Sequence, residues 1–259
     1  MTKTTLTKAI QNRVNESEKA FIPYIMGGDG ELKDQILFLQ EAGATAIEVG
    51  IPFSDPVADG PTIQRAGERA LQNGVTLRTI LDELRVIRDE VKIPLVIMTY
   101  INPILSYGIE AFAQACKETG VYGLIVPDAP LEESEMLKSA FLETDVALVQ
   151  LISLTSSPER MEKIVAAGEG FIYAVTVNGI TGVRDGFDDQ LEKYLKQLKE
   201  ISTVPVLAGF GISTPEQVRS VGTFADGVIV GSAIVEAFHQ NELEKIRELV
   251  VASKKEVLS

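Results

Sequence analysis

The sequence predicts an α/β fold, a single (β/α)8 barrel formed by residues 1–259, with an extra helix before the first strand and another closing the chain. Three observations predict it. Short apolar, β-branched runs recur eight times, each four to seven residues long, as buried parallel strands do. Amphipathic helical patterns lie between these runs. No low-complexity linker divides the chain, and about 250 residues is the usual size of this barrel as one domain. An open doubly wound sheet is the competing architecture. It usually carries a G-x-G-x-x-G turn after its first strand, and here that turn reads Met26-Gly27-Gly28-Asp29-Gly30-Glu31, without the spacing. The closed TIM barrel is therefore the expected fold.

The elements follow in order. A helix over Thr5–Asn15 precedes the first strand, Phe21–Met26. Leu32, Ile36 and Leu39, at i, i+4 and i+7, mark the helix that leads to the second strand, Ala44–Val49. Gly60-Pro61 opens the next helix, since proline is tolerated at a first helical position. Strands three to five are Leu95–Met98, Gly123–Val126 and Val146–Ile152. Ser157-Pro158-Glu159 is a cap, proline and acid at a helix start, and strand six is Phe171–Val175. Leu191, Leu195 and Leu198 form the next apolar stripe, with Lys193, Lys196 and Lys199 off it. Strand seven is Val204–Ala208. Thr214-Pro215-Glu216-Gln217 then supplies a cap hydroxyl, a proline and a third-position glutamine. Strand eight, Gly227–Val230, precedes a helix ending near His239 and a last one over Asn241–Lys255.

Composition removes several classes of function. Lys+Arg is 24 against Asp+Glu 37, a net charge of −13, which disfavours nucleic acid and anionic membrane surfaces. One cysteine, Cys116, and one histidine, His239, exclude an intrachain disulfide and a Cys/His-rich zinc site, and no metal is expected. Cys116 lies in an apolar helical stretch and reads as core; His239 reads as a helix-end residue rather than part of a nucleophilic device. The N-terminus lacks the apolar run of a secretory signal, and no segment approaches 18 consecutive apolar residues, so a cytoplasmic protein is expected.

In this barrel class the chemistry sits at the C-terminal ends of the strands. The strongest polar residue there is Glu48. Alternation puts Ala46, Glu48 and Gly50 on the barrel-facing side and Thr45, Ile47 and Val49 on the helix-facing side. Burial should raise the carboxyl pKa of Glu48, which suits a general acid or base; a purely structural carboxylate is the alternative. The loop after it, Ile51-Pro-Phe-Ser-Asp-Pro-Val-Ala-Asp-Gly-Pro61, carries Asp55 and Asp59. Asp59 is a second candidate, or else an acid placed ahead of the Pro61 helix. Three glycine-rich turns come late: Asn178–Gly182, Ala208–Ser213 and Gly231–Ala233. Glycine lets backbone N–H groups approach an anion, and the last two follow strands seven and eight, the recurrent phosphate site of this barrel. No lysine lies in a strand at the rim, which disfavours a Schiff-base mechanism. The expected apparatus is carboxylate acid–base chemistry on a phosphorylated small molecule.

The run Glu48-Val-Gly-Ile-Pro-Phe-Ser-Asp-Pro-Val-Ala-Asp-Gly-Pro-Thr-Ile-Gln64 closely resembles the signature of the tryptophan synthase alpha chain family. Gly123–Glu133, Gly179–Gly182, Ala208–Ser213 and Asp226–Ala233 match in the family's order, and the resemblance runs from about Phe21 to the C-terminus. It implies a lyase that cleaves indole-3-glycerol phosphate to indole and glyceraldehyde 3-phosphate by a retro-aldol step. Glu48 would be the acid–base group, and Asp59 would accept the indole N–H. Tyr173, Thr181, Gly182, Gly211, Gly231 and Ser232 would contact ring and phosphate, and Phe21, Tyr100 and Phe210 would wall the indole. The resemblance also implies an α2β2 heterotetramer with a beta chain, contacted through Asp55 and Pro56. Pyridoxal phosphate would belong to that beta chain, and this chain would need no cofactor. One departure is Thr176-Val177, where many members carry Ser-Arg. Two other readings compete: a sugar-phosphate isomerase on the same barrel, and a ligand-sensing subunit that mainly activates a partner enzyme.

Overall fold

A computed structural model describes residues 3–175, 189–209 and 211–254. Nine strands are present among them: β1 Ala20–Met26, β2 Ile47–Gly50, β3 Leu95–Met98, β4 Val121–Ile125, β5 Ala147–Leu148, β6 Gln150–Ser153, β7 Ile172–Val175, β8 Val206–Gly209 and β9 Gly227–Val230. Every pairing is parallel, in the order β5-β4-β3-β2-β1-β9-β8-β7-β6. The two ends of that order are consecutive in the chain and separated only by Val149. The ring therefore closes through the chain itself, and the architecture is the expected TIM barrel.

The expected fifth strand, Val146–Ile152, is thus two short strands. Its first half pairs with β4 and its second with β7. At the junction the Leu148 N–H donates to the Glu169 carboxylate (2.8 Å), and the Val149 N–H donates to the Leu124 carbonyl of β4 (3.0 Å). The second strand starts at Ile47 rather than Ala44. Before it, the Thr45 hydroxyl accepts from the Phe21 N–H (3.1 Å) while the Thr45 N–H donates to the Phe21 carbonyl (2.9 Å).

Alternation along the strands builds two apolar layers. Ala20, Ile22, Ala46, Val96, Ile125, Phe171, Leu207 and Ile229 fill the barrel interior. Phe21, Ile25, Ile47, Val49, Leu95 and Ile97 face the helices. Leu6 and Ile10, both fully buried, belong to the inner cluster, so the Thr5–Asn15 helix plugs the barrel. Leu6 reaches Gly123 midway along β4 and Gly170 just before β7.

The helix starts form as the sequence predicts. Thr214 and Gln217 make a reciprocal capping box, Ser157 accepts from the Arg160 N–H, and Pro61 occupies the first helical position after Gly60. The three stripe leucines of Asp189–Ile201 are buried. The closing helix is shorter than expected, Leu243–Val251. His239 ends the Ser232–His239 helix, and Cys116 is fully buried in the core. No helix among the described residues is long and apolar enough to cross a membrane.

Candidate active site

Glu48 sits on β2 in register with Tyr24 on β1 and Val96 on β3. Its parity is that of Ala46, so its side chain joins the inner layer, where it is 1% exposed. Its Oε2 is buried and has no hydrogen-bond partner among the described residues. Below it, the floor of the barrel is hydrocarbon from Leu6, Ile22, Ala46, Val96 and Phe171. Burial first, and then the nearby Asp59 carboxylate, push the Glu48 pKa up to about 8. At neutral pH this residue is a protonated acid.

Asp59 is held over it by the loop after β2. Its backbone N–H donates to the Pro56 carbonyl (3.1 Å), and its carbonyl accepts from the Gln64 side-chain amide (2.8 Å). The helix cap is Gly60, with no side-chain cap bond, so Asp59 is not the capping acid. Its carboxylate instead accepts a hydrogen bond from the Tyr100 hydroxyl. That hydroxyl in turn accepts from the Ala58 N–H (3.0 Å), and the Tyr100 ring stacks on Phe53 at 5.1 Å. Burial raises the Asp59 pKa to about 6, and the Tyr100 bond opposes that rise. Two carboxyls of different character therefore share one site: the deeper stays neutral while the shallower ionises. The helix after the loop is anchored from below by Arg69, whose guanidinium grips Asp29 with two bonds of 2.7 and 2.6 Å.

These groups open into a cavity of about 400 Å³. Tyr24, Glu48, Asp59, Met98, Tyr173, Gly211, Gly231 and Ser232 are among its lining residues. Gly211 has φ +80°, a backbone conformation natural to glycine. Gly231 precedes the Ser232–His239 helix, whose first N–H groups have no acceptor within the helix and face the cavity mouth. The two inward tyrosines depend on glycines of neighbouring strands. A methyl group at Gly50 of β2 would overlap the Tyr24 hydroxyl, and one at Gly209 of β8 would overlap that of Tyr173.

Glu48, Asp59, Tyr173, Gly211, Gly231 and Ser232 are therefore brought together at the cavity, with Tyr100 behind Asp59. Phe21 is not. It is fully buried in the helix-facing layer, because it has the opposite parity to Tyr24, the residue that does line the cavity. The sequence reading missed Tyr24, Met98, Ile63 and Ile229. For Tyr24 a signal existed, since a strand apolar at every position still has two faces and the phenol is its only polar tip. Asp55 is exposed and Pro56 partly so, both on the loop that carries Asp59. Thr181, Gly182 and Phe210 lie outside the described residues, as do Thr176-Val177. No group of three or more potential metal ligands occurs among the described residues, and no described strand contains a lysine.

A sequence model of the family described as "Tryptophan synthase alpha chain" matches residues 10–257. The chain belongs to this family. It is 52% identical over 248 residues to the tryptophan synthase alpha chain of Bacillus cereus strain B4264, covering 95% of this chain and 96% of that one. The alpha chain of Bacillus mycoides is 53% identical over 240 residues, covering 92% and 93%. Among solved structures, tryptophan synthase from Mycobacterium tuberculosis superposes with a TM-score of 0.88 at 35% identity, covering 96% and 98%. Tryptophan synthase subunit alpha of Legionella pneumophila gives 0.86 at 34%, covering 97% and 98%. The alpha-chain signature of residues 48–64 thus spans the end of β2, the loop over the cavity and the first turn of the next helix.

Proposed function

We propose that Glu48 and Asp59 carry out the lyase reaction of this alpha chain, the cleavage of indole-3-glycerol phosphate to indole and glyceraldehyde 3-phosphate in tryptophan biosynthesis. The observation that carries the assignment is the pairing of a neutral buried acid with an ionised one in a single cavity. The cavity is within the usual range for small-molecule sites, about 300–1,000 Å³.

The C–C bond between ring and glycerol breaks only after the ring carbon is protonated. Glu48 starts protonated and gives its proton to that carbon, leaving positive charge on the ring nitrogen. Asp59 accepts the indole N–H and stabilises the charge as it develops. The Glu48 carboxylate then takes the proton of the glycerol hydroxyl. The C–C electron pair returns to the ring, indole and aldehyde part, and Glu48 is left protonated as it began. Tyr173 and Met98 bound the ring, with Tyr24 at the level of Glu48. Backbone N–H groups at Gly211, Gly231 and Ser232, with Thr181 and Gly182, hold the phosphate.

This assignment makes kcat/KM bell-shaped in pH. Activity rises as Asp59 ionises near 6 and falls as Glu48 loses its proton near 8. A profile flat across that window would overturn the pairing. Ser232→Asp places a like charge beside the phosphate and is expected to raise KM at least tenfold, with a smaller effect on kcat; unchanged KM would remove the anion site.

A beta chain carrying pyridoxal phosphate is the proposed partner, in an α2β2 assembly, with the reaction placed in the cytoplasm. Indole is neutral and apolar, so direct transfer to a chain docked at the rim avoids its loss to bulk solvent. The loop holding Asp59 also presents Asp55, Pro56 and Val57, the last 76% exposed, so docking there reaches the site through one loop. Asp55→Ala is expected to weaken mutual activation by the two chains several-fold while leaving KM for the phosphorylated substrate unchanged. Nothing favours the sensing-subunit alternative, and indole release by the purified chain is the direct test: a chain that bound substrate without releasing indole would revive it.

A further inference from the structure

Glu48 and Tyr24 are unmatched neighbours. The Oε2 of Glu48 is a buried acceptor without a donor among the described residues. The Tyr24 hydroxyl is a buried donor whose bond runs to the Met26 sulfur at 3.9 Å, and a thioether is a weak acceptor. The two residues are register partners on adjacent strands and line the same cavity. The Tyr24 hydroxyl lies over the Cα of Gly50, two residues beyond Glu48 on the same face of β2. Alternate residues of a strand are about 6.6 Å apart, and a glutamate carboxylate reaches roughly 4–5 Å from its Cα, so a side-chain rotation of Glu48 brings the two within bonding reach.

The groups facing Glu48 leave this hydroxyl as its natural donor. From the loop after β2 comes Asp59, a like charge already served by Tyr100. From β7 comes Tyr173, seated over Gly209. The plugging helix offers only Leu6 and Ile10. Tyr24 stands in the field of both carboxyls, and burial with that field drives its own ionisation well above the ordinary phenol range, so it remains a donor throughout the working pH range.

We propose that Tyr24 is a positioning residue for Glu48: its hydroxyl leaves the Met26 sulfur and donates to the Glu48 carboxylate whenever that group is ionised. The proposal deepens the acid–base assignment above and rests on it. The hydrogen bond holds the carboxylate during the interval between giving its proton to the ring and taking one from the glycerol hydroxyl. It also fixes which oxygen is left free to act.

The test is the titration of Glu48 itself in the ligand-free chain, followed by carbon NMR of protein labelled at glutamate side-chain carboxyls. The Glu48 signal is assigned by its loss in Glu48→Gln. Tyr24→Phe keeps the ring and removes the donor, so the midpoint is expected to rise by at least half a pH unit. The basic limb of kcat/KM should move with it, and kcat should fall three- to tenfold with KM little changed. An unmoved midpoint overturns the proposal. If Tyr24→Phe does not fold, Met26→Leu reads the same point by removing the competing acceptor: a lowered midpoint supports the proposal and an unmoved one overturns it. The midpoint is read without turnover, so failure here differs from failure of the lyase assignment, which would appear as indole release by Glu48→Gln.

Discussion

Glu48→Gln is expected to lower the rate of indole release by roughly 10²–10⁴-fold or more, with substrate binding nearly intact. Glutamine keeps the shape of the buried side chain but can neither give the proton the ring carbon needs nor take one from the glycerol hydroxyl. Stability should move the other way. The folded chain holds the Glu48 proton up to about 8, whereas an unfolded glutamate releases it near 4.3. Between those values the folded state binds more protons, so the parent loses stability as pH rises and has lost all of this contribution above 8. Glutamine carries no such loss. The variant should therefore match the parent near pH 4 and exceed it at pH 8.5 by on the order of 5 kcal/mol, the shift from about 4.3 to about 8 taken at about 1.4 kcal/mol per pH unit. Denaturant midpoints at the two pH values, measured beside indole release, check both halves. Retained turnover, or a variant less stable than the parent at high pH, would remove Glu48 from the acid–base role.

Asp59→Asn should be the next most severe change, lowering kcat by roughly 10²–10³-fold. The carboxylate is already oriented before substrate arrives, by the Tyr100 hydroxyl and by the turn that bonds its N–H to Pro56. Asparagine preserves the size but replaces an anion with a dipole beside a nitrogen that becomes cationic. The loss should fall on kcat, because the charge exists only as the bond breaks. The acidic limb of the pH profile should also disappear, since it reports Asp59. An effect confined to KM would mean that Asp59 only holds the ring in place.

Both expectations depend on a site only partly legible in the chain. Glu48 could be read directly: a carboxylate among apolar residues in a strand, sharing parity with Ala46 and Gly50, has to face the interior. Asp59 was ambiguous, because an acid before Gly-Pro at a helix start suits a cap as well as a site. The Tyr100 hydroxyl, 41 residues away, distinguishes the two. Phe21 shows the limit of reading a strand whose two faces are both apolar. In Phe21–Met26 either parity gives an acceptable core, and only pairing with β2 puts Tyr24, not Phe21, beside Glu48.

The sequence by itself determined the alternation of strands with helices, the barrel class, the extra helix over Thr5–Asn15 and the capped helix starts. These follow from periodicity and capping, which act over a few residues at a time. Tertiary structure alone decided the division of the fifth strand at Val149, beside which Glu169, 21 residues away, accepts the Leu148 N–H. It also decided the glycine sockets for Tyr24 and Tyr173, and the separate ionisation of Glu48 and Asp59. The reason is physical. Burial, and the field of one carboxyl on another, depend on which distant segments share a space, and no local pattern encodes that distance.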